Sequence, residues 1–240
     1  MHVARDPAKY IFGGVRYPSV TEILTFSGWD DYSRVDAAVL KNAADRGSFC
    51  HEWSERYDAN LVTVEEVPEP YDGYAHSYER FVREHDYQIL HSEIVVRSHR
   101  QRYAGQCDRI CILDGRLTIL DLKTANEEQG KPSWGLQTAA YALAYLEEYG
   151  DALVKKYPYF ANEPMIRATL CLHFSGVPRL QFWVSEHDYT YFEFAAATVN
   201  AQLDAGVIQI PQETTEEPGQ ETLAMQLLRA LPDLPTAGRA

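Results

Sequence analysis

The stretch GQCDRICILDGRLTILDLKT, residues 105–124, constrains the fold of this chain more than any other. Asp114-Gly115 between two runs of β-formers signals a two-residue hairpin loop, because these residue types tolerate the left-handed backbone such a loop requires. With that loop, cross-strand partners have numbers summing to 229, so Ile112 faces Leu117, Ile110 faces Ile119 and Asp108 falls directly opposite Asp121. Lys123 lies one pleat beyond Asp121 on the same face. An apolar face thus ends in two carboxylates and an ammonium. Opposed like charges on neighbouring strands destabilise by about 0.2–1 kcal/mol, and desolvation adds to this at the edge of a core. A divalent cation between the carboxylates removes the penalty, since Mg²⁺ binds through oxygen ligands and retains several waters. The plainer alternative is a solvated strand end with a weak Asp121/Lys123 ion pair.

The rest of the chain surrounds this hairpin with helices. Gly13-Gly14 separates two short β-forming runs over residues 10–17, and Ser19 or Thr21 can cap a short helix ending near Phe26. A helical pattern runs from Ser33 to Tyr57, with Val35, Val39, Ala43 and Phe49 toward one face and Gly47 marking a break or a close backbone approach. An acidic, proline-bearing connection at 60–70 leads to a helix over 71–84. Strands follow at 88–97, 103–113 and 116–123, then a helix over 132–149, strands at 165–174 and 179–184, and a helix over 186–204. The order predicts a mixed α/β fold. Residues 207–240 carry five acids, two arginines and several prolines, and read as a flexible tail with a short amphipathic helix near Leu223–Leu231.

Composition narrows the function. With 45% apolar and 24% charged residues the chain is globular in character, and no stretch approaches the length of about 18 apolar residues that a membrane span needs. The N-terminus lacks an apolar leader core, and the four cysteines form no CxxC pairs, so reduced thiols in a cytoplasmic protein are expected. A net charge of −13 argues against a broad nucleic-acid-coating face. Locally the balance reverses: Arg97, His99, Arg100, Arg102 and Arg109 fall within thirteen positions and could bind a phosphate backbone beside the acids. Arg46, Arg179 and Lys131 are further basic candidates, and Trp29, Trp53 and Trp134 are candidates for stacking on unpaired bases.

Gly105-x-x-Asp108 followed by Asp121-Leu122-Lys123-Thr124 resembles the active-site core of the PD-(D/E)XK nuclease superfamily. Gln137 and Tyr141 match the Q-x-x-x-Y motif of its RecB-like branch, and Gly47 to His51 the G-x-x-x-H element upstream. Tyr17 to Thr21 is similar to the opening of several phage and mitochondrial members, so the likeness spans about residues 17–145. The resemblance implies a restriction-endonuclease-like core with a mixed central sheet flanked by helices, covering 87–206, and a helical N-terminal elaboration at 19–86, together one nuclease domain over 1–206. It implies that Asp108 and Asp121 bind Mg²⁺ or Mn²⁺ with His51 and the Leu122 carbonyl, and that Lys123 orients the attacking water or stabilises developing charge. Glu93 stands where the superfamily often has another acid; Gln137, Tyr141 and Arg46 would contact DNA or brace the site. An Fe–S cluster, found in some members, is not expected, since no cysteine follows Cys171. The activity implied is a phage or bacterial DNA exonuclease acting on an end or single strand in replication, recombination or repair, with a protein partner from those processes. The alternatives are a structure-specific endonuclease and a silent DNA-binding subunit.

Overall fold

The structure, a computed structural model, describes residues 7–125 and 130–210. The tail beyond Ile210, with its expected helix near residues 223–231, lies outside the described residues. β1 (Ile11–Phe12) and β2 (Val15–Arg16) form the Gly-Gly hairpin, with both glycines at positive φ. Ser19 caps α1 (Val20–Phe26) in a capping box: its hydroxyl accepts the Glu22 N–H at 3.1 Å while the Glu22 carboxylate accepts the Ser19 N–H at 2.7 Å.

Asp36 caps α2 (Ala37–Asp58), which runs unbroken through Gly47. A Cβ at Gly47 would meet nothing within 4 Å, so the expected break and the expected close approach are both absent there. The anticipated apolar side of the first half of α2 is also unpacked: Val35 and Val39 are 40% and 57% exposed, and buried side chains begin only at Cys50. The first half of the helix lies beyond the reach of the core.

α3 (Asp72–Glu84) leads into β3 (Tyr87–Ser98), β4 (Tyr103–Leu113) and β5 (Arg116–Lys123). α4 (Pro132–Lys156) crosses to β6 (Ile166–Cys171), followed by β7 (Arg179–Phe182) and α5 (His187–Asp204). The sheet order is β3-β4-β5-β6-β7, parallel only between β5 and β6. A parallel pair needs a crossover, and α4 provides it. One face packs Ile110, Ile112, Leu117 and Ile119 against α4 and α5 residues such as Leu136, Tyr141 and Phe192. The other packs Cys111, Leu113, Leu120, Leu122 and Leu170 against Trp53 of α2 and Tyr74, Tyr78 and Phe81 of α3. Cys107 and Cys111 lie in these two cores, in keeping with packing roles.

The predicted hairpin register holds from Leu113↔Arg116 to Arg109↔Leu120. At Asp108 it changes character. Ser92 and Arg109 bond to Glu55 and Ser54 of α2, whereas Ile94 and Cys107 lie in the core that includes α4. Positions two apart on a strand ordinarily share a face. Here they do not, so β3 and β4 switch faces together at Glu93 and Asp108. Glu93 carries the strain openly, at φ 50°. The expectation that Asp108 simply extends the Ile110 face is corrected accordingly: its carboxylate accepts the Leu122 N–H at 2.8 Å just past the last paired residues.

Two stability predictions follow from this packing. A Cβ at Gly105 would lie 2.6 Å from Tyr141 Cε1 and 2.9 Å from Val20 Cγ2. Gly105→Ala is therefore expected to cost about 1–3 kcal/mol, read as a lowered melting temperature, while Gly47→Ala stabilises slightly or changes nothing. The second concerns His91, which is 5% exposed beside Tyr145 and Tyr149, with Nε2 unbonded. Burial pushes this imidazole down to about 4. The unfolded chain then takes up a proton that the fold refuses, so stability falls as pH drops from about 6.5 to about 4, by about 3 kcal/mol in all. Urea unfolding across that range should show the decline in the wild type, and His91→Phe should remove this part of it.

Candidate active site

Three adjacent strands each present one acid at the point where β3 and β4 change face. Glu93 lies between Ser92, paired with Arg109, and Ile94, paired with Cys107, which sets it across from Asp108. α2 brings His51 over them. Its Nδ1 is 3.1 Å from Glu93 Oε1 and 3.6 Å from Asp108 Oδ1. Ligand atoms of His51, Glu93 and Asp108 all lie within 4.8 Å of one another. Glu93 thus belongs with the residues singled out from the sequence, while the carbonyl of Leu122 has a neighbouring N–H already given to Asp108.

Asp121 stands beside this group on β5, 1% exposed. Its Oδ2 is 2.8 Å from Lys123 Nζ, while its buried Oδ1 has no hydrogen-bond donor. Burial pushes its carboxyl up to about 6, against the pull of the Lys123 ammonium and with a further push from Asp108. Buried carboxylate oxygen left without a donor is costly. A hard cation at this point would satisfy it, and an imidazole with three carboxylates is a donor set suited to Mg²⁺ or Mn²⁺.

The ammonium of Lys123 is held from two sides. It donates to Gln137 Oε1 at 2.9 Å, and Gln137 Nε2 donates to the Tyr141 hydroxyl at 2.9 Å. One turn apart on α4, Gln137 and Tyr141 therefore act as a relay that fixes the lysine beside Asp121. Arg46 donates to the Thr124 carbonyl at 2.9 Å and lies over the Tyr74 ring, which ties α2 to the end of β5.

Three of the expected arginines, Arg97, Arg100 and Arg102, do not assemble at the acids. Arg97 pairs with Glu148 at 3.1 Å, Arg100 with Glu193 at 3.6 Å, and Arg102 makes a two-pronged pair with Asp204. These three stand near the β3–β4 turn, roughly 13 Å or more along the strands from Glu93 and Asp108. His99 meets the Tyr17 hydroxyl at 3.1 Å. Arg109, a neighbour of Asp108 in sequence, turns toward α2 and is fully buried against Asp58 and Ser54, with its guanidinium 3.7 Å from Glu93 Oε1 beneath the acids. Among the tryptophans, Trp53 and Trp134 are core residues, while Trp29 is 40% exposed and stacks on Tyr191.

Sequence reasoning missed the supports behind the acids. Gln106 donates to Glu93 Oε2 at 2.8 Å and accepts from Lys9 Nζ at 3.3 Å. Ser54 and Asp58, one and two turns beyond His51 on α2, hold Arg109. Only the helical spacing of residues 51, 54 and 58 hinted that these side chains share a face.

Comparison with known proteins places this site in a class. The sequence model of the PD-(D/E)XK nuclease superfamily matches residues 36–224, a span that contains His51, Glu93, Asp108, Asp121 and Lys123. The chain belongs to the PD-(D/E)XK nuclease superfamily. No curated protein matches it in sequence. One of the solved structures that match is that of a candidate exonuclease from Eubacterium rectale, 11% identical, with a TM-score of 0.49 over 92% of this chain and 96% of that one. Among the described residues, no helix is long and apolar enough to cross a membrane.

Proposed function

We propose that this protein is a divalent-cation-dependent DNA exonuclease of the RecB-like type, formed by one nuclease domain over residues 1–206. A bacterial or phage-infected cytoplasm is its setting, and replication, recombination or repair its process, alongside a protein partner from that machinery. The observation that carries the reading is the convergence of His51, Glu93 and Asp108 within 4.8 Å next to the Asp121–Lys123 pair.

In this reading His51, Glu93, Asp108 and Asp121 hold Mg²⁺ or Mn²⁺, with the Leu122 carbonyl as a further ligand. The ion supplies Lewis acidity and lowers the pKa of water that it binds. Lys123, fixed by Asp121 and Gln137, directs an N–H toward the water or the phosphate oxygen on which negative charge builds. Tyr141 acts through Gln137, and Arg46 steadies the backbone just beyond Lys123. The buried position of Asp121 keeps bulk water from screening these charges.

End-labelled linear DNA and covalently closed circular DNA, incubated side by side with Mg²⁺, Mn²⁺ or a chelator, test the proposal. Nucleotide release from the linear substrate alone, stopped by the chelator and restored by either ion, is expected. Cutting of the closed circle would establish the endonuclease alternative. Absence of cleavage with metal binding retained would establish the silent DNA-binding subunit.

A further inference from the structure

Beyond Lys123 the same face of the sheet carries Arg179 at its β7 edge. Lys123 on β5 pairs with Cys171 on β6, and Cys171 pairs with Arg179 on β7. Laterally paired residues share a face, so Arg179 lies on the same side as Asp121, Lys123 and α4. Two strand spacings separate the backbones of Lys123 and Arg179, about 10 Å. The next residues on that face confirm the direction: Gln181 accepts the Gly130 N–H at 2.9 Å, and Trp183 donates to Thr169 at 2.8 Å and meets Gly135 of α4.

Arg179 is unlike the other arginines around the sheet. Arg97, Arg100, Arg102, Arg109 and Arg167 each face a carboxylate. Among the described residues Arg179 faces none: its guanidinium contacts the Cys171 sulfur at 3.6 Å, and its buried Nε has no hydrogen-bond partner. A guanidinium is always charged and offers a planar set of donors matched to phosphate. Held partly buried with no acid beside it among the described residues, such a group is stabilised by an anionic ligand.

We infer that Arg179 forms a second phosphate subsite, which binds a backbone phosphate of the polynucleotide on the β7 side of the scissile bond. This rests on the nuclease reading for the identity of the ligand. The separation from Lys123 spans about three nucleotides of one strand, at about 3.4 Å of rise each. The subsite gives the strand a direction across the sheet, with the cleaved phosphate at the acids and the next ones toward β7. Arg179 is thus a substrate-contacting residue that sets binding and register, separate from the group that performs hydrolysis.

The test uses short DNA substrates with one uncharged methylphosphonate placed in turn at each position flanking the cleavage site. Binding is measured with Ca²⁺ as the oxygen-liganded ion and cleavage with Mg²⁺, for the wild type, Arg179→Ala and Arg179→Lys. For the wild type, one methylphosphonate position is expected to weaken binding about tenfold to a hundredfold. Arg179→Ala should weaken binding of the unmodified DNA by the same factor and be indifferent to that substitution. Its KM should rise with kcat within about threefold of wild type, and Arg179→Lys should recover part of the loss. The slope of log affinity against log salt should become shallower by about 0.7–0.9. If no methylphosphonate position costs the wild type more than about twofold, the subsite is refuted whatever the variants do. Multiplying losses in variant and substrate would refute it equally. A wild type that shows the binding pattern without cleavage would overturn the nuclease reading and leave the subsite standing.

Discussion

Asp121→Asn is expected to reduce DNA cleavage by about 10³-fold or more while leaving the melting temperature of the metal-free protein unchanged or higher. The two effects have one cause. Asp121 is 1% exposed, its Oδ1 has no donor, and burial already pushes its carboxyl up to about 6. A neutral amide of the same shape is easier to bury than that carboxylate. Lys123 keeps its bond to Gln137 in the variant, so the fold loses little on that side. What disappears is the negative oxygen that, on the proposed function, would bind the cation. Divalent ions should therefore raise the melting temperature of the wild type through linkage, and raise that of Asp121→Asn much less. Thermal melts with and without Mg²⁺, alongside cleavage assays, provide both readouts. An active Asp121→Asn protein, or one that melts well below the wild type without metal, would refute this assignment.

Arg109→Met is expected to be the most damaging single change to stability, at about 3–5 kcal/mol, because it leaves the partly buried Asp58 without its counter-charge. The Arg109 side chain is 0% exposed and spends its donors on Asp58, on the Ser54 hydroxyl and on the carbonyl of Asp108. Asp58 also accepts the Tyr78 hydroxyl at 2.8 Å, and burial raises its carboxyl despite the arginine. The guanidinium also comes within 3.7 Å of Glu93 Oε1, so its charge lies beneath the acids of the site. Urea unfolding should show the loss, and Arg109→Met with Asp58→Leu should recover part of it, since the orphaned acid is then gone. The salt dependence of DNA binding by the folded fraction should not change, which it would if Arg109 met a phosphate.

The hairpin was legible because a two-residue loop and a strict period of two leave one register, and Ile110↔Ile119 and Ile112↔Leu117 appear as anticipated. The Ser19 cap and the Gly13-Gly14 turn were legible for the same reason: local chemistry decides them within a few residues. Gly47 misled, since glycine within a helix is tolerated at about 1 kcal/mol and need not mark a break. The arginines misled because a run of charges in sequence says nothing of which layer each one faces. Arg109 and Asp108 are neighbours, yet one lies in the packing beneath α2 and the other at the site.

By itself the sequence determined the elements, the hairpin register and the presence of Asp108, Asp121 and Lys123 at one strand end, because alternation and turn chemistry act over short distances. Only the tertiary structure decided that Glu93 completes the cluster with His51, that Gln137 and Tyr141 hold the lysine, and that Arg179 stands on the face of Lys123 with no acid beside it among the described residues. Those outcomes depend on β3 and β4 changing face together and on the order β5-β6-β7 across the sheet. Both are settled by how separate segments pack, a long-range balance of burial and pairing that no local pattern of residues encodes.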